Sequence, residues 1–187
     1  MKTRRSRKWK NFGEEEENEP REIIDTEKAR RRTFERAVNL LAYKWRSVAE
    51  LRERLLEKDW TNAEIVDSVI ERLEEYGYLN DERFAHDFAA SQLSRKPVGK
   101  RVLLQKLAQK KISKETADAA LEQLFDETSE SELIERAVQK RLRLKGRPET
   151  REDTKKFYDY LLRQGFSYEA VREKMREIAA RSFDDES

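Results

Sequence analysis

The sequence contains no cysteine, and only three prolines and five glycines interrupt its 187 residues. Without cysteine the chain can form neither a disulfide framework nor a cysteine-ligated metal site, and this composition fits a reducing compartment. No apolar run approaches the roughly 18 residues that a membrane span needs. Residues 1–20 also lack the apolar core of a signal peptide. These absences predict a soluble, cytoplasmic protein that is not associated with a membrane.

Charged side chains make up 43% of the chain, but 41 basic residues nearly balance 39 acidic ones. Net charge therefore identifies no partner. Glu, Lys, Arg, Leu and Ala dominate the composition, and all of them favour helices. Apolar residues recur at steps of three and four, as in Phe34, Val38 and Leu41, and no segment sustains the alternation of a strand. The sequence predicts an all-α protein.

A short corner recurs three times at intervals of roughly fifty residues. It consists of an apolar residue, a hydroxyl residue and a restarted apolar pattern, and it appears as Trp60–Thr61, Ile112–Ser113 and Phe166–Ser167. The hydroxyl is expected to cap a helix, while the apolar residue packs onto the first turn of that helix. For the first corner, this predicts Thr61 as the N-cap and Glu64 as its partner in a capping box.

The chain is expected to turn through the left-handed backbone region two residues before each cap. Gly165 suits that position because glycine adopts it without steric cost. Asp59 is expected to tolerate it at modest cost, whereas Lys111 is expected to be strained there.

These corners predict three tandem three-helix repeats that form an elongated, curved array. The predicted repeats span residues 31–80, 81–128 and 129–182. A charged, disordered tail is predicted at 1–30 and an acidic end at 183–187. Each repeat is expected to have its own small core, with neighbours in contact mainly at their junctions. Such arrays mostly serve as binding surfaces, although duplication alone would also produce repetition.

The chain offers few residues for catalysis. His86 is the single histidine, so no histidine pair, metal cluster or triad can form from several, and a structural role is predicted for it. The five glycines stand apart from one another, which excludes a glycine-rich phosphate loop. The acidic residues have Lys or Arg nearby on the same helix face, as in Glu50 and Arg54. The prediction is a protein with no enzymatic activity, no metal and no cofactor.

Two stretches combine many basic residues with no acidic ones: residues 95–111 carry seven and residues 139–147 carry five. Because the chain contains 39 acidic residues, stretches without any are unusual. They are candidates for contact with DNA phosphates or with a nucleoprotein surface. The alternative is an ordinary solvated helix face. The candidate contact residues are Arg95, Lys96, Lys100, Arg101, Lys106, Lys110, Lys140, Arg141, Arg143, Lys145 and Arg147.

The segment YKWRS at 43–47 interleaves aromatic and basic residues, a pattern that can stack on nucleobases. Trp45, however, continues the apolar stripe that begins at Phe34. That period favours a core position for Trp45 over a stacking one.

Four segments in order resemble the bacterial RecX family of regulatory proteins. They read SVAELRERLLEKDW, EEYGYLNDERFAHDF, VGKRVLLQKLAQKKI and YLLRQGFSYEAV. The resemblance covers residues 34–180, and YLNDERFA at 78–85 is its most distinctive part. Asp59 and Lys111 stand where a glycine is common in the family, and Asn80 stands where aspartate is common. These departures bear on turn conformation more than on function.

The resemblance implies a negative modulator of the RecA recombinase, acting in recombination, DNA repair and the SOS response. Members of this family bind the RecA filament on DNA, lie along its groove and suppress ATP hydrolysis and strand exchange. Charge patterning alone, and not the resemblance, nominates the basic residues as candidates for contact with the filament and for direct contact with nucleic acid. A monomer is predicted because the apolar stripes are used within the repeats.

A helix-turn-helix DNA-binding protein is the alternative, since three-helix units with a tight turn before the last helix are built that way. The third helices predicted for the first two repeats are acidic, and only the one that follows Ser167 is basic enough for a major groove. An interaction scaffold unrelated to recombination is a third interpretation.

Overall fold

The structure is a computed structural model that describes residues 26–184, with side chains described as far as residue 180. Within this range the chain forms nine α-helices and no β-strand. The helices are α1 (Thr26–Tyr43), α2 (Val48–Leu56), α3 (Ala63–Glu75), α4 (Asp81–Arg95), α5 (Lys100–Gln109), α6 (Lys114–Glu127), α7 (Glu130–Lys145), α8 (Arg151–Arg163) and α9 (Tyr168–Asp184). Each group of three packs mainly within itself. The predicted all-α fold of three tandem three-helix repeats is confirmed.

Polar side chains define where the helices begin. The hydroxyl of Ser113 accepts a hydrogen bond from the amide of Thr116 at 3.1 Å, and that of Ser167 accepts one from the amide of Ala170 at 3.3 Å. Asn80 caps α4 in the same way. Each cap satisfies one of the amides that a helix leaves without a partner in its first turn. The predicted caps at Ser113 and Ser167 are therefore confirmed.

The first corner differs from its prediction. Asn62, and not Thr61, caps α3, and its Oδ1 accepts from the amide of Ile65 at 2.9 Å. Thr61 is buried, and its Oγ1 accepts a hydrogen bond from the hydroxyl of Thr33 in α1 at 3.0 Å. The predicted capping box between Thr61 and Glu64 is wrong, because a side-chain amide one residue later satisfies the helix start and leaves the threonine to join α1 to the turn.

The turns before the third helices differ in backbone conformation. Gly165 has φ +90°, and Lys111 has φ +60° and is the one non-glycine residue with positive φ within the described range. A side chain in this region costs roughly 1–2 kcal/mol per residue, and the left-handed conformation predicted for Lys111 is confirmed. Asp59 does not adopt positive φ, and the left-handed turn predicted there is wrong.

The buried apolar residues form two clusters rather than one for each repeat. Repeat 1 has its own cluster, which includes Leu51, Val66 and Leu73. Repeats 2 and 3 share one continuous cluster that extends from Phe84 in α4 to Val171 in α9. The expectation of three separate small cores is therefore wrong. Repeats 2 and 3 form one packed body, to which repeat 1 is joined.

Repeats 2 and 3 meet through backbone at two glycines. The amide of Gly99 donates to the carbonyl oxygen of Gln164 at 2.9 Å, and the amide of Arg101 lies 3.4 Å from the carbonyl oxygen of Gly165. A Cβ atom on Gly165 would come within 2.6 Å of the amide nitrogen of Val102. Contacts this close leave no room for side chains, and they fix the start of α5 against the turn between α8 and α9.

Repeat 1 is joined to repeat 2 by polar groups. The hydroxyl of Ser47 donates to the carbonyl oxygen of Lys110 at 2.6 Å, and the amide of Val48 donates to Asp81 at 2.9 Å. The ammonium of Lys110 lies 2.8 Å from a carboxylate oxygen of Glu50. Burial raises the pKa of Asp81, the hydrogen bond from Val48 partly opposes this, and the nearby charge of Glu50 raises the pKa further.

Helix α1 begins at Thr26, and Ala29 on its first turns is buried. The start of repeat 1 predicted at residue 31 is therefore too late, since part of the predicted tail at 1–30 is helical. Residues 1–25 lie outside the described range, as do 185–187 at the predicted acidic end.

Candidate functional site

The first basic run lies where α4 ends and α5 begins. Arg95 is the last residue of α4, Lys96 follows it, and Lys100 and Arg101 open α5. All four side chains are exposed. They flank Gly99, whose amide is bonded to repeat 3. This part of the run therefore lies at the joint between repeats 2 and 3.

The joint also brings in a cation that sequence reasoning missed. The guanidinium of Arg101 donates to the carbonyl oxygen of Leu162 at the end of α8. Arg163 is the next residue, is exposed, and immediately precedes Gln164, which accepts from Gly99. Arg163 stands alone in the sequence, outside both basic runs, so charge patterning gave no signal for it. We call the exposed set Arg95, Lys96, Lys100, Arg101 and Arg163 the joint cluster.

Local electrostatics strengthen the positive potential of the joint cluster. Helix α5 begins at Gly99 without a side-chain cap, and its first turn contains no acidic residue. The other helices with described N-caps have a side-chain oxygen at this position. The partial positive charge of a helix N-terminus adds to that of nearby cations. The start of α5 therefore places Lys100 and Arg101 beside a positive helix end that no local carboxylate offsets.

Two residues of the first run serve other contacts. The ammonium of Lys106 donates to the side-chain carbonyl of Gln92 in α4, at a hydrogen-bond length of 2.5 Å. Lys110 pairs with Glu50 across the joint between repeats 1 and 2, and both side chains are mostly buried. The carboxylate of Glu50 offsets the charge of Lys110, whereas Lys106 is bonded to a neutral amide and keeps its charge. Lys106 thus braces α5 against α4 within repeat 2, and Lys110 braces repeat 2 against repeat 1.

The second run lies at the end of α7 and in the segment that follows. Arg141 is half-buried, with its guanidinium carbon 4.9 Å from the ring centroid of Tyr160 in α8. Lys140 is also partly exposed, whereas Arg143, Lys145 and Arg147 are exposed. Tyr160 lies one helical turn before Gln164, so Arg141 packs on the helix that leads to the joint. The contact between Arg141 and Tyr160 connects this run to the joint cluster through α8.

An aromatic groove opens between repeats 1 and 2. Trp45 lies on its wall and is 57% exposed, and Tyr78 is 65% exposed. The predicted core position of Trp45 is therefore wrong. Helix α1 ends at Tyr43 and the chain bends before Ser47, so Trp45 leaves the stripe that Phe34 begins. The groove has a volume of about 380 Å³.

The described residues contain no cluster that could serve as a metal centre. No group of three or more His, Asp or Glu in this part of the chain could hold a metal ion. His86 is partly exposed, and its Nδ1 lies 3.4 Å from the neighbouring Asp87. No helix between residues 26 and 184 is long and apolar enough to cross a membrane.

Family models for three domains match this chain in the expected order. The first three-helix domain of RecX matches residues 34–73, the second matches 80–121 and the third matches 128–175. Each match falls on one of the three helical repeats. The matched residues together cover more than half of the chain.

Curated relatives bear the name regulatory protein RecX. The protein of Chlorobium phaeobacteroides (strain BS1) is 32% identical over 148 residues, which are 79% of this chain and 94% of the relative. The protein of Bacillus subtilis (strain 168) is 30% identical over 152 residues, which are 81% of this chain and 57% of the relative. The chain thus spans less than two thirds of the length of the Bacillus subtilis protein.

Solved structures share the fold. The crystal structure of RecX from Lactobacillus salivarius superposes with a TM-score of 0.73 at 22% identity, over 82% of this chain and 98% of that one. A second crystal structure, of a regulatory protein RecX, superposes with a TM-score of 0.70 at 24% identity, over 81% of this chain and 73% of that one. At these identities the likeness establishes the helical repeat fold alone.

Proposed function

This chain belongs to the RecX family of regulatory proteins, and from that premise we propose that it is a negative modulator of the RecA recombinase. It binds the RecA–DNA filament along its groove and inhibits ATP hydrolysis and strand exchange. It acts in the cytoplasm as a monomer and uses no cofactor. The proposal is carried by the match of all three repeats to the family. The joint cluster, held by the backbone contact between Gly99 and Gln164, supports it.

The joint cluster suits a partner with a repeating negative surface. Its five cations come from the end of α4 and the residue after it, the start of α5 and the end of α8. The hydrogen bond between Gly99 and Gln164 holds α5 against the end of α8. A cluster on ordered backbone loses little conformational freedom on binding. Phosphates of filament DNA and any acidic groups on the filament surface would be attracted to it, and complementary charge mainly raises the rate of encounter.

The remaining candidates divide by exposure. Arg143, Lys145 and Arg147 are exposed and extend the basic surface along repeat 3, and Lys140 does so in part. Arg141 contributes through its packing on Tyr160, which orients the end of α7. Lys110 acts indirectly, because its ion pair with Glu50 joins repeats 1 and 2, and Lys106 acts indirectly by holding α5 against α4.

Exposed acidic residues weigh against the helix-turn-helix alternative. In α3, the exposed side chains include Glu64, Asp67 and Glu71, and in α6 they include Glu115 and Glu122. A helix that enters the major groove would bring these carboxylates close to phosphates, where repulsion opposes binding. Two of the three repeats therefore lack a recognition helix of suitable charge.

Sedimentation of RecA filaments tests the proposed binding. Filaments assembled on single-stranded DNA should carry the protein into the pellet, and the amount should saturate as the protein is increased. RecA without DNA and DNA without RecA serve as controls. Protein that stays in the supernatant at every filament concentration, while still folded by circular dichroism, would contradict filament binding.

A further inference from the structure

The aromatic groove between repeats 1 and 2 combines apolar walls with exposed rings and cations. Helix α1 and the following bend supply one wall, and the turn before α4 and its first residues supply the other. The lining contains two arginines and no carboxylate. The lining residues are Val38, Leu41, Ala42, Trp45, Arg46, Gly77, Tyr78, Leu79, Asn80, Arg83 and Phe84.

Neighbouring side chains hold the two large rings in place. The ring of Tyr78 packs edge-on against that of Tyr76, with centroids 6.2 Å apart and planes at 82°. Tyr76 is held in turn by Arg72, whose Nε donates to the tyrosine hydroxyl at 3.0 Å. The guanidinium carbon of Arg83 lies 5.8 Å from the ring centroid of Trp45. Both rings remain more than half exposed, so they offer free surface on supported side chains.

The two lining arginines provide positive charge on both sides of the groove. Arg46 follows Trp45, and its Nε atom is buried without a hydrogen-bond partner in the described structure. Burying such a donor is unfavourable unless it acquires an acceptor. Arg83 lies across the groove, on the first turn of α4. The Nε atom of Arg83 also lies 3.7 Å from a carboxylate oxygen of Asp87, and such an exposed pair offsets its charge only weakly. An anion with flat apolar groups would complement this lining better than an apolar peptide, which would leave the Nε atom of Arg46 without an acceptor.

We propose that this groove binds unpaired bases of single-stranded nucleic acid. The bases stack on Trp45 and Tyr78, and the flanking phosphates face Arg46 and Arg83. Stacking platforms beside cations are how proteins hold single strands without reading their sequence. The site is separate from the joint cluster, and it needs no RecA to operate. It therefore goes beyond the proposed function, and either can fail without the other.

Binding of a labelled oligothymidylate to the full chain, followed by fluorescence anisotropy without RecA, tests the proposal. Replacing Trp45 by alanine or Tyr78 by alanine should weaken binding about 5- to 150-fold, the range expected for loss of one stacked base. Trp45→Phe keeps a ring and should retain most of the affinity. Tyr43→Ala is the matched control, because Tyr43 is 88% exposed and does not line the groove; it should change affinity less than about twofold.

An abasic strand of equal length separates stacking from charge. The parent protein should bind it more weakly than oligothymidylate, and Trp45→Ala should bind it as the parent does. The effect of Trp45→Ala on oligothymidylate should also persist as salt is raised, since stacking is not screened.

Several results would overturn the proposal. The first is no detectable binding of oligothymidylate by the parent at low salt. The second is equal affinity of the parent, Trp45→Ala and Tyr78→Ala. The third is a loss of affinity for the abasic strand, on replacing Trp45 by alanine, equal to the loss for oligothymidylate. The fourth is normal binding of oligothymidylate by the groove variants together with loss of their binding to RecA filaments. That result would mean that the groove binds a protein partner, which also overturns the proposal.

Discussion

Gly99 and Gly165 meet backbone to backbone, so closely that a methyl group on Gly99 would overlap the carbonyl oxygen of Gly165. The contact lies at the centre of the joint cluster. It links a helix start in repeat 2 to a helix end in repeat 3, and the two repeats share one hydrophobic cluster beneath it. The exposed cations of this joint therefore depend on a contact that leaves no space for a side chain.

Replacing Gly99 by alanine should destabilise the protein by about 1–3 kcal/mol, because the added methyl group must push two backbone segments apart. It should also weaken binding to RecA filaments by moving Lys100. Gly77→Ala is the control. A Cβ atom at residue 77 would meet no atom within 4 Å, but Gly77 has φ +69°. This variant should therefore lose stability only through backbone strain. Chemical unfolding and filament sedimentation measure both effects. A Gly99→Ala protein as stable as its parent would show that the joint is loose.

Replacing Lys111 by glycine should stabilise the protein relative to Lys111→Ala by about 1 kcal/mol. Both variants lose the exposed ion pair with Glu53, but only glycine relieves the positive φ of +60°. Alanine therefore serves as the control for the lost ion pair, which is worth at most about 1 kcal/mol. Urea unfolding of the three proteins measures the difference. Equal stability of the two variants would mean that the turn is not strained.

Replacing Ser47 by alanine should cost more stability than replacing Ser113 by alanine. Both hydroxyls cap a helix, a role worth about 1 kcal/mol, at Glu50 and Thr116 respectively. Only Ser47 also donates to a backbone carbonyl, that of Lys110, in the next repeat. Its loss should add roughly 0.5–1.5 kcal/mol. Thermal unfolding of the two variants tests this, and equal losses would contradict a role for Ser47 in joining repeats.

Replacing Asp81 by asparagine should change how stability depends on pH. The pKa of Asp81 is raised above its ordinary value of 3.8, first by burial, so the folded state holds this proton more tightly than the unfolded state. The stability from this group is fully present below 3.8 and is lost as pH rises through the folded pKa. Asparagine does not titrate, and it can still accept from the amide of Val48.

Urea unfolding of the parent and Asp81→Asn at a series of pH values checks the sign. The stability of Asp81→Asn relative to the parent should increase as pH rises above 3.8. Asp81→Ala is the companion variant, and it should be less stable than Asp81→Asn because the amide of Val48 loses its acceptor. A relative stability that falls with rising pH would contradict the raised pKa.

Reversing the charges of Arg95, Lys96 and Lys100 to glutamate should weaken filament binding and flatten its dependence on salt. Each lost phosphate contact should lower the salt slope by about one. The control reverses three exposed cations elsewhere, Arg31, Lys114 and Lys155, which gives the same net charge. Comparable weakening by both triple variants would indicate a nonspecific charge effect and remove the joint cluster from the interface.

Much of the fold could be predicted because each repeat encodes it locally. Apolar periodicity predicted the helices, and Ser113 and Ser167 predicted helix starts, since a cap depends on residues a few positions away. Gly165 and Lys111 predicted left-handed turns for the same reason. Asn62 rather than Thr61 caps α3 because the hydroxyl of Thr61 is bonded to Thr33 in α1. A local sequence pattern does not contain that distant partner.

The candidate site could be predicted only in part, because it depends on contacts between repeats. Arg163 joins the cluster because the next residue, Gln164, accepts a hydrogen bond from the amide of Gly99, and no charge run reveals that contact. Lys110 is drawn into an ion pair with Glu50, from another repeat. Trp45 keeps the helical period in sequence, but the helix ends before it. In each case the deciding partner is distant along the chain.

ATP hydrolysis by the cognate RecA on single-stranded DNA, titrated with this protein, tests the central claim most directly. Hydrolysis should fall as the protein is added, and the triple variant at Arg95, Lys96 and Lys100 should require more protein for the same inhibition. Inhibition well below one copy per RecA would indicate action at filament ends or on growth, whereas inhibition near equal amounts would indicate coating of the groove. Unchanged hydrolysis at every ratio, with folded protein, would contradict the proposed function.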